Sequence, residues 1–182
     1  VNPNAQETSQ AGNWLKERFL SDKPAVPFSF TYGGVSSTEL LPKWPLKRKT
    51  ERVNSQCNRH ILAFSDPETH LQLRCIVVEY LDCPAIEWTL YFLNGSAGET
   101  PILENVQSCD FLIDSKKPGD FLIYYAEGSD AKFTDFQPLE KKLSGNDNLT
   151  LASYGGRSSD GFLPFFNVAC PDTGGLAVGI GW

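Results

Sequence analysis

Two hydrophobic periods divide the chain. Gly12 to Leu20 (GNWLKERFL) spaces Trp14, Leu15, Arg18 and Phe19 like one short amphipathic helix. From Val26 onward the period is two. Val26 to Tyr32 puts Phe28 and Phe30 on one face and Ser29 and Thr31 on the other, a half-buried strand stopped by Gly33-Gly34. Arg59 to Ser65 and Leu71 to Tyr80 flank Asp66-Pro-Glu-Thr-His70, which predicts a hairpin: Pro67 presets φ and Asp66 can bond the turn backbone. Pro84 to Asn94 alternates most regularly, with Ile86, Trp88, Leu90 and Phe92 facing one way and Glu87, Thr89 and Tyr91 the other. Further strands are expected at about 101–106, 109–113, 120–126, 148–153, 162–169 and 175–182, separated by clusters of Gly, Ser, Asp, Asn and Pro. The stretch Pro42 to Lys49 (PKWPLKRK) reads as a solvated loop crossing between sheets. Short strands at this spacing, with one helix before them, predict an all-β antiparallel sandwich.

Composition narrows the picture. The 182 residues suit one domain, expected over 14–182 behind a polar N-terminal tail at 1–13. They are too few for a (β/α)8 barrel, which takes about 250 residues. No apolar run approaches the roughly 18 residues needed to cross a bilayer, so no membrane partner is expected. A net charge of −6 with pI ≈ 4.9 repels phosphate backbones. Lys43, Lys47, Arg48 and Lys49 around Trp44 are too few to reverse that field, so nucleic acid is not an expected partner either. The sequence begins at Val1, contains no methionine, and carries five cysteines and two sequons, Asn94-Gly-Ser96 and Asn148-Leu-Thr150. Together these favour a secreted, periplasmic or otherwise exported protein. An odd set of cysteines cannot pair completely within one chain, and buried apolar thiols remain the alternative to disulfides.

Familiar catalytic and metal patterns do not emerge. Cys57-x-x-His60 with Cys75 and Cys83 fits no usual zinc spacing, so no metal is expected. Neither Gly34-Val-Ser36-Ser37-Thr38 nor Gly156-Arg-Ser158-Ser159-Asp160 carries the second glycine of a nucleophile elbow. Gly174, Gly175, Gly179 and Gly181 sit in a strand-like segment without a following helix to hold a phosphate, and no cofactor is expected. The 22 acidic residues single out no catalytic pair.

A set of segments does point somewhere. Pro27-Phe-Ser-Phe-Thr-Tyr-Gly-Gly34, Ser36-Ser-Thr-Glu-Leu-Leu41, Asp66-Pro-Glu-Thr69 and Asp82-Cys-Pro-Ala-Ile-Glu-Trp88 come first. Thr100-Pro-Ile-Leu-Glu104, Gly155-Gly-Arg-Ser-Ser159, Pro164-Phe-Phe-Asn167 and Gly179-Ile-Gly-Trp182 follow. In this order and spacing they resemble the N-terminal β-sandwich of melibiase-type α-galactosidases, glycoside hydrolase family 36 and its relatives, over about residues 14–182. The resemblance implies a galactose-mutarotase-like antiparallel β-supersandwich that packs on a catalytic barrel. In that family two aspartates of the barrel hydrolyse terminal α-galactosides with retention, held about 5–5.5 Å apart. No residue of this chain matches them, so the resemblance implies an accessory, non-catalytic domain whose barrel is absent here.

Candidate contacts with substrate or with a neighbouring domain are Arg157, Ser158, Ser159 and Asp160 in one loop, Trp182, and Trp44 as an exposed aromatic. Arginine offers a planar fork to carboxylates or hydroxyls, and tryptophan a flat apolar face to a sugar ring or a protein surface. The competing expectations are a loop-stabilising ion pair for Arg157 and a strand-end core position for Trp182. Trp88 is expected in the core, and Trp14 is expected to dock the helix. Besides the barrel, the expected partners are a galactoside ligand or a second copy of the chain. The rival function is an independent carbohydrate-binding or lectin-like module, with Trp44, Tyr32, Tyr124, Tyr125 and Tyr154 to supply its aromatics. A third is an interaction domain whose apolar patch is the face left by a missing barrel.

Overall fold

The computed structural model describes residues 4–113, 121–145, 147–170 and 174–181. They form antiparallel sheets preceded by a helix, and they divide into two compact units, Val1–Leu112 and Ile113–Trp182.

The first unit begins with α1 (Ala5–Leu15), continued by one π-helical turn at Lys16–Leu20. The helix therefore starts within the expected polar tail, earlier than Gly12. The cause is a capping box: the Asn4 side chain accepts from the Gln6 amide at 3.0 Å, and the Glu7 carboxylate accepts from the Asn4 amide at 3.3 Å. Leu15 and Phe19 point inward and are buried. Trp14 docks the helix as expected, with ring centroids 5.9 Å from Phe19 and 5.8 Å from Trp88.

Beneath the helix lies a four-stranded sheet ordered β3 (Leu46–Arg52), β4 (Cys57–Ser65), β5 (Leu71–Tyr80), β6 (Ile86–Asn94). The hairpin between β4 and β5 forms where Asp66-Pro-Glu-Thr-His70 predicts it. The buried Asp66 carboxylate accepts from the Glu68 and Thr69 amides at 3.3 Å and from the Thr69 hydroxyl, which also meets the Tyr32 hydroxyl at 2.6 Å. Every second residue turns inward: His60, Leu62 and Phe64 on β4, and Leu71, Leu73, Cys75 and Val77 on β5. On β6, Ile86, Trp88, Leu90 and Phe92 pack against that core from partly buried positions, while Glu87, Thr89 and Tyr91 face out. Trp88 also donates its indole N–H to the Ser108 carbonyl at 2.6 Å.

The same core is shared by a small sheet ordered β2 (Val35–Ser36), β1 (Ser29–Tyr32), β7 (Leu103–Gln107). Gly33 and Gly34, at φ +57° and +79°, close its two-residue hairpin, because a turn with both central residues at positive φ follows the twist of paired strands. Phe30 and Tyr32 point into the core, Phe30 edge-on to Phe92 at 5.4 Å. A one-turn helix, α2 (Ser37–Leu40), leads into a tight bend around Trp44. Two sheets over one apolar layer, with a helix alongside, make this unit sandwich-like.

Here one expectation is corrected. The Pro42–Lys49 segment is a loop only as far as Pro45; Leu46–Arg52 is an edge strand paired with β4 along its whole length. Charged side chains on a strand that borders solvent discourage further pairing, and they also hide it from a hydrophobic pattern.

The second unit is a four-stranded sheet ordered β11 (Gly174–Gly179), β10 (Phe165–Cys170), β8 (Phe121–Ala126), β9 (Pro138–Leu143). Ile123 and Val168 are its most buried apolar side chains. Strands expected at 109–113 and 148–153 are absent among the described residues of those segments. β9 appears where none was expected, its Leu139 and Leu143 alternating with Glu140 and Lys142. Among the described residues, no helix is long and apolar enough to cross a membrane.

Candidate functional site

The Arg157–Asp160 loop lies in the second unit, and its backbone is tied from both sides. Gly155 and Gly156 turn at φ +62° and +72°, after which Arg157 N–H bonds Tyr154 O and Tyr154 N–H bonds Asp160 O, both at 3.2 Å. The stretch around Gly128 clasps this loop: Gly128 N–H donates to Gly161 O at 2.9 Å and Ser129 N–H to Ser159 O at 2.7 Å. The approach is so close that a Cβ on Gly128 would stand 1.8 Å from the Ser159 carbonyl oxygen, a contact only glycine avoids.

Charges are arranged on this frame. Arg157 Nη2 meets Asp160 Oδ2 at 2.7 Å, so the fork offered to a ligand in the sequence reading is engaged by its own loop. Lys132 Nζ stands 3.0 Å from Asp130 Oδ2. Hydrogen bonding and charge from Lys132 hold the Asp130 carboxyl below its usual range; the same Asp130 charge raises Lys132. Asp135 organises the turn beneath. Burial pushes its carboxyl up, but the amides of Asp130, Lys132 and Ala131 and the Ser129 hydroxyl outweigh this and leave its pKa lowered.

Ser158 is exposed and lines a shallow depression of about 100 Å3 together with Leu151, Ser153, Phe162, Phe166 and Ile180. Ser159 contributes its backbone carbonyl to the clasp. The loop thus brings Arg157, Ser158, Ser159 and Asp160 together. Trp182 lies outside the described residues. Trp44 belongs elsewhere: it is 5% exposed in the core of the first unit, 6.2 Å from Phe30 and 6.1 Å from Tyr32 between ring centroids. The expectation of an exposed aromatic at Trp44 is therefore corrected. Its amide bonds the Leu40 carbonyl at 3.2 Å, and this folds the ring back under β1 while Lys43 stays outside. Tyr32, the other aromatic drawn from that unit, is buried as well.

Exposed rings do gather on the sheet of the second unit. Asn167 faces Tyr124 across the β8–β10 pair, and Phe165, two residues earlier, shares that face. Phe165 is 54% and Tyr124 44% exposed. Opposite Phe165, Asn167 and Ala169 on β11 stand Gly179, Ala177 and Gly175, a shelf of small residues. The sequence reading included Tyr124 but missed Phe165. The signal was present: in Pro164-Phe-Phe-Asn167, alternation assigns one phenylalanine to each face.

In the first unit a polar cluster sits at one end of the inner sheet face. His60 is 4% exposed; its Nδ1 pairs with the Thr50 hydroxyl at 2.9 Å and its Nε2 with Glu79 Oε2 at 3.3 Å. Asn58 Nδ2 donates to the same carboxylate oxygen at 2.7 Å. With both ring nitrogens engaged, the imidazole ties β3, β4 and β5 together. Cys57 lies on the opposite face of β4, so His60 and Cys57 do not converge. Asn94, the first sequon asparagine, ends β6 in a turn where the Ser96 amide and hydroxyl donate to its Oδ1 at 2.9 and 2.8 Å.

No family model, curated protein or solved structure matches this chain.

Proposed function

We propose that the chain is an accessory domain of a family-36-like α-galactosidase, built on a galactose-mutarotase-like supersandwich, that packs on and shapes a catalytic (β/α)8 barrel without itself hydrolysing substrate. The ordered segments from Pro27 to Trp182 supply the resemblance. The observation that carries the docking role is the open sheet face of the second unit, where Phe165 and Tyr124 stand beside a shelf of glycine and alanine. Exposed aromatic rings beside small residues suit a protein surface laid flat against them. On this reading the Arg157–Asp160 loop is a stiff border and its ion pair is structural.

The same face favours a second reading, a carbohydrate-binding module. Two exposed rings flank an amide side chain, Asn167, which has both a donor and an acceptor for sugar hydroxyls. Titration calorimetry with galactose, melibiose and raffinose, and an α-galactosidase assay on the same sample, separate the readings. The accessory role gives neither binding nor turnover by the chain alone, together with association in trans with a family-36 barrel produced without its N-terminal domain. Sugar binding that is lost in Tyr124→Ala and Phe165→Ala, without barrel association, selects the module and overturns the first reading.

A further inference from the structure

We propose that Cys57 and Cys83 form an oxidisable thiol pair, a modification site at which a small-molecule disulfide of the glutathione class closes an intramolecular S–S bond. The two cysteines lie on segments drawn together at one corner of the four-stranded sheet. Cys57 opens β4 and stands in register with Tyr80, the last residue of β5, so their side chains share the outer face. Cys83 lies in the turn that follows β5, three residues beyond Tyr80. That turn is drawn onto the start of β4: Leu81 N–H donates to Gln56 O at 2.7 Å, and Gln56 Nε2 to Asp82 Oδ2 at 2.9 Å. The turn is closed from the other side by Tyr80 N–H bonding Ala85 O at 3.2 Å and Ala85 N–H bonding Cys83 O at 2.8 Å.

The Tyr80 hydroxyl, on the same outer face as Cys57, donates to Glu87 Oε2 at 3.0 Å. Its pKa is raised first by that carboxylate and, with smaller contributions, by the negative charge of each thiolate. Cys57 and Cys83 are partly accessible, whereas Cys75 is buried, so the former pair combines access with placement at one corner of the sheet. The remaining two cysteines lie apart in sequence, Cys109 after β7 and Cys170 at the end of β10.

Glutathione disulfide is a sufficient two-electron oxidant. A thiolate at Cys57 or Cys83, having lost its proton to solvent, attacks glutathione disulfide; a mixed disulfide forms and one glutathione thiolate leaves. The second cysteine, also deprotonated, attacks the protein sulfur of that mixed disulfide, forming the Cys57–Cys83 bond and releasing the second glutathione. The protein loses two protons and two electrons, and the oxidant gains both pairs as two thiols. The bond fixes the β5–β6 turn to the start of β4, adding a covalent tie where the sheet has two hydrogen bonds.

The test treats the folded chain with oxidised glutathione, quenches in acid, counts thiols in denaturant and maps non-reduced peptides by mass spectrometry. The count is expected to fall by at least two from five, with one cross-linked peptide joining Cys57 and Cys83. Cys57→Ser and Cys83→Ser should each instead hold one glutathione as a stable mixed disulfide. Cys109→Ser and Cys170→Ser should leave the cross-link unchanged. Five thiols remaining after treatment, or a bridge that includes Cys109 or Cys170, would overturn the proposal. The wild-type map decides this even where a variant folds poorly.

Discussion

Replacing Trp44 with alanine separates a core role from a binding role, because the two place the cost in different experiments. The ring is 5% exposed and packs on Phe30 and Tyr32 within the cluster that also holds Phe64 and Leu73. A buried tryptophan removes roughly 150–250 Å2 from water, which at about 25 cal/mol per Å2 is worth about 4–6 kcal/mol. Truncation retains Cβ and lets neighbours relax, so the expected loss is about 3–5 kcal/mol. Domains of this kind hold only about 5–15 kcal/mol in total, so much of the unit's stability would go. With a urea slope of about 2 kcal/mol/M, the midpoint should fall by roughly 2 M. Far-UV circular dichroism is the suitable probe, since the variant removes a fluorophore. Trp44→Phe should lie between the two, because phenylalanine refills part of the space. A Trp44→Ala midpoint within about 0.5 kcal/mol of wild type, the usual span for surface substitutions, would refute the packing argument.

Other outcomes follow from single contacts. Gly128→Ala drives a methyl into the Ser159 carbonyl and should lower the thermal midpoint by the equivalent of about 1–3 kcal/mol. Asp66→Ala leaves the Glu68 and Thr69 donors of the β4–β5 turn unpaired, which should cost about 1–3 kcal/mol in chemical denaturation. Asp135 is held ionised below its usual 3.8, so its contribution is complete above that value and is lost as the pH falls through the lower folded value. Asp135→Asn should therefore flatten the acid limb of a stability–pH curve in that range; an unchanged limb would contradict the assignment. Burial raises the Cys75 thiol to about 12, so under native alkylation it should be the last of the five to react.

How much of this the sequence disclosed follows from which forces leave a periodic trace. Burial of one sheet face does: Leu71–Tyr80 begins and ends where alternation places it, and Ile86 to Phe92 turn inward as read. Edge position leaves no such trace. Leu46–Arg52 pairs through its backbone while most of its side chains meet water, so lysine and arginine mask the strand. The start of α1 rests on the Asn4–Glu7 box, a capping signal rather than an apolar stripe. The candidate loop was legible as a cluster because its residues are consecutive. That Arg157 spends its guanidinium on Asp160, and that Gly128 clasps Ser159, depend on backbone closures that spacing alone does not reveal. Trp44 was misplaced because its neighbours Pro42, Lys43 and Pro45 are surface residues; the bend they form points the ring inward.

Under the accessory-domain proposal this chain supports an α-galactoside-cleaving barrel without hydrolysing or binding the substrate itself. The most direct measurement is calorimetric titration of the purified 182-residue chain with melibiose, with hydrolysis followed in the same sample. No heat of binding and no released galactose is the expected result. Turnover that follows the purified chain through successive columns, or millimolar and tighter binding, would contradict it.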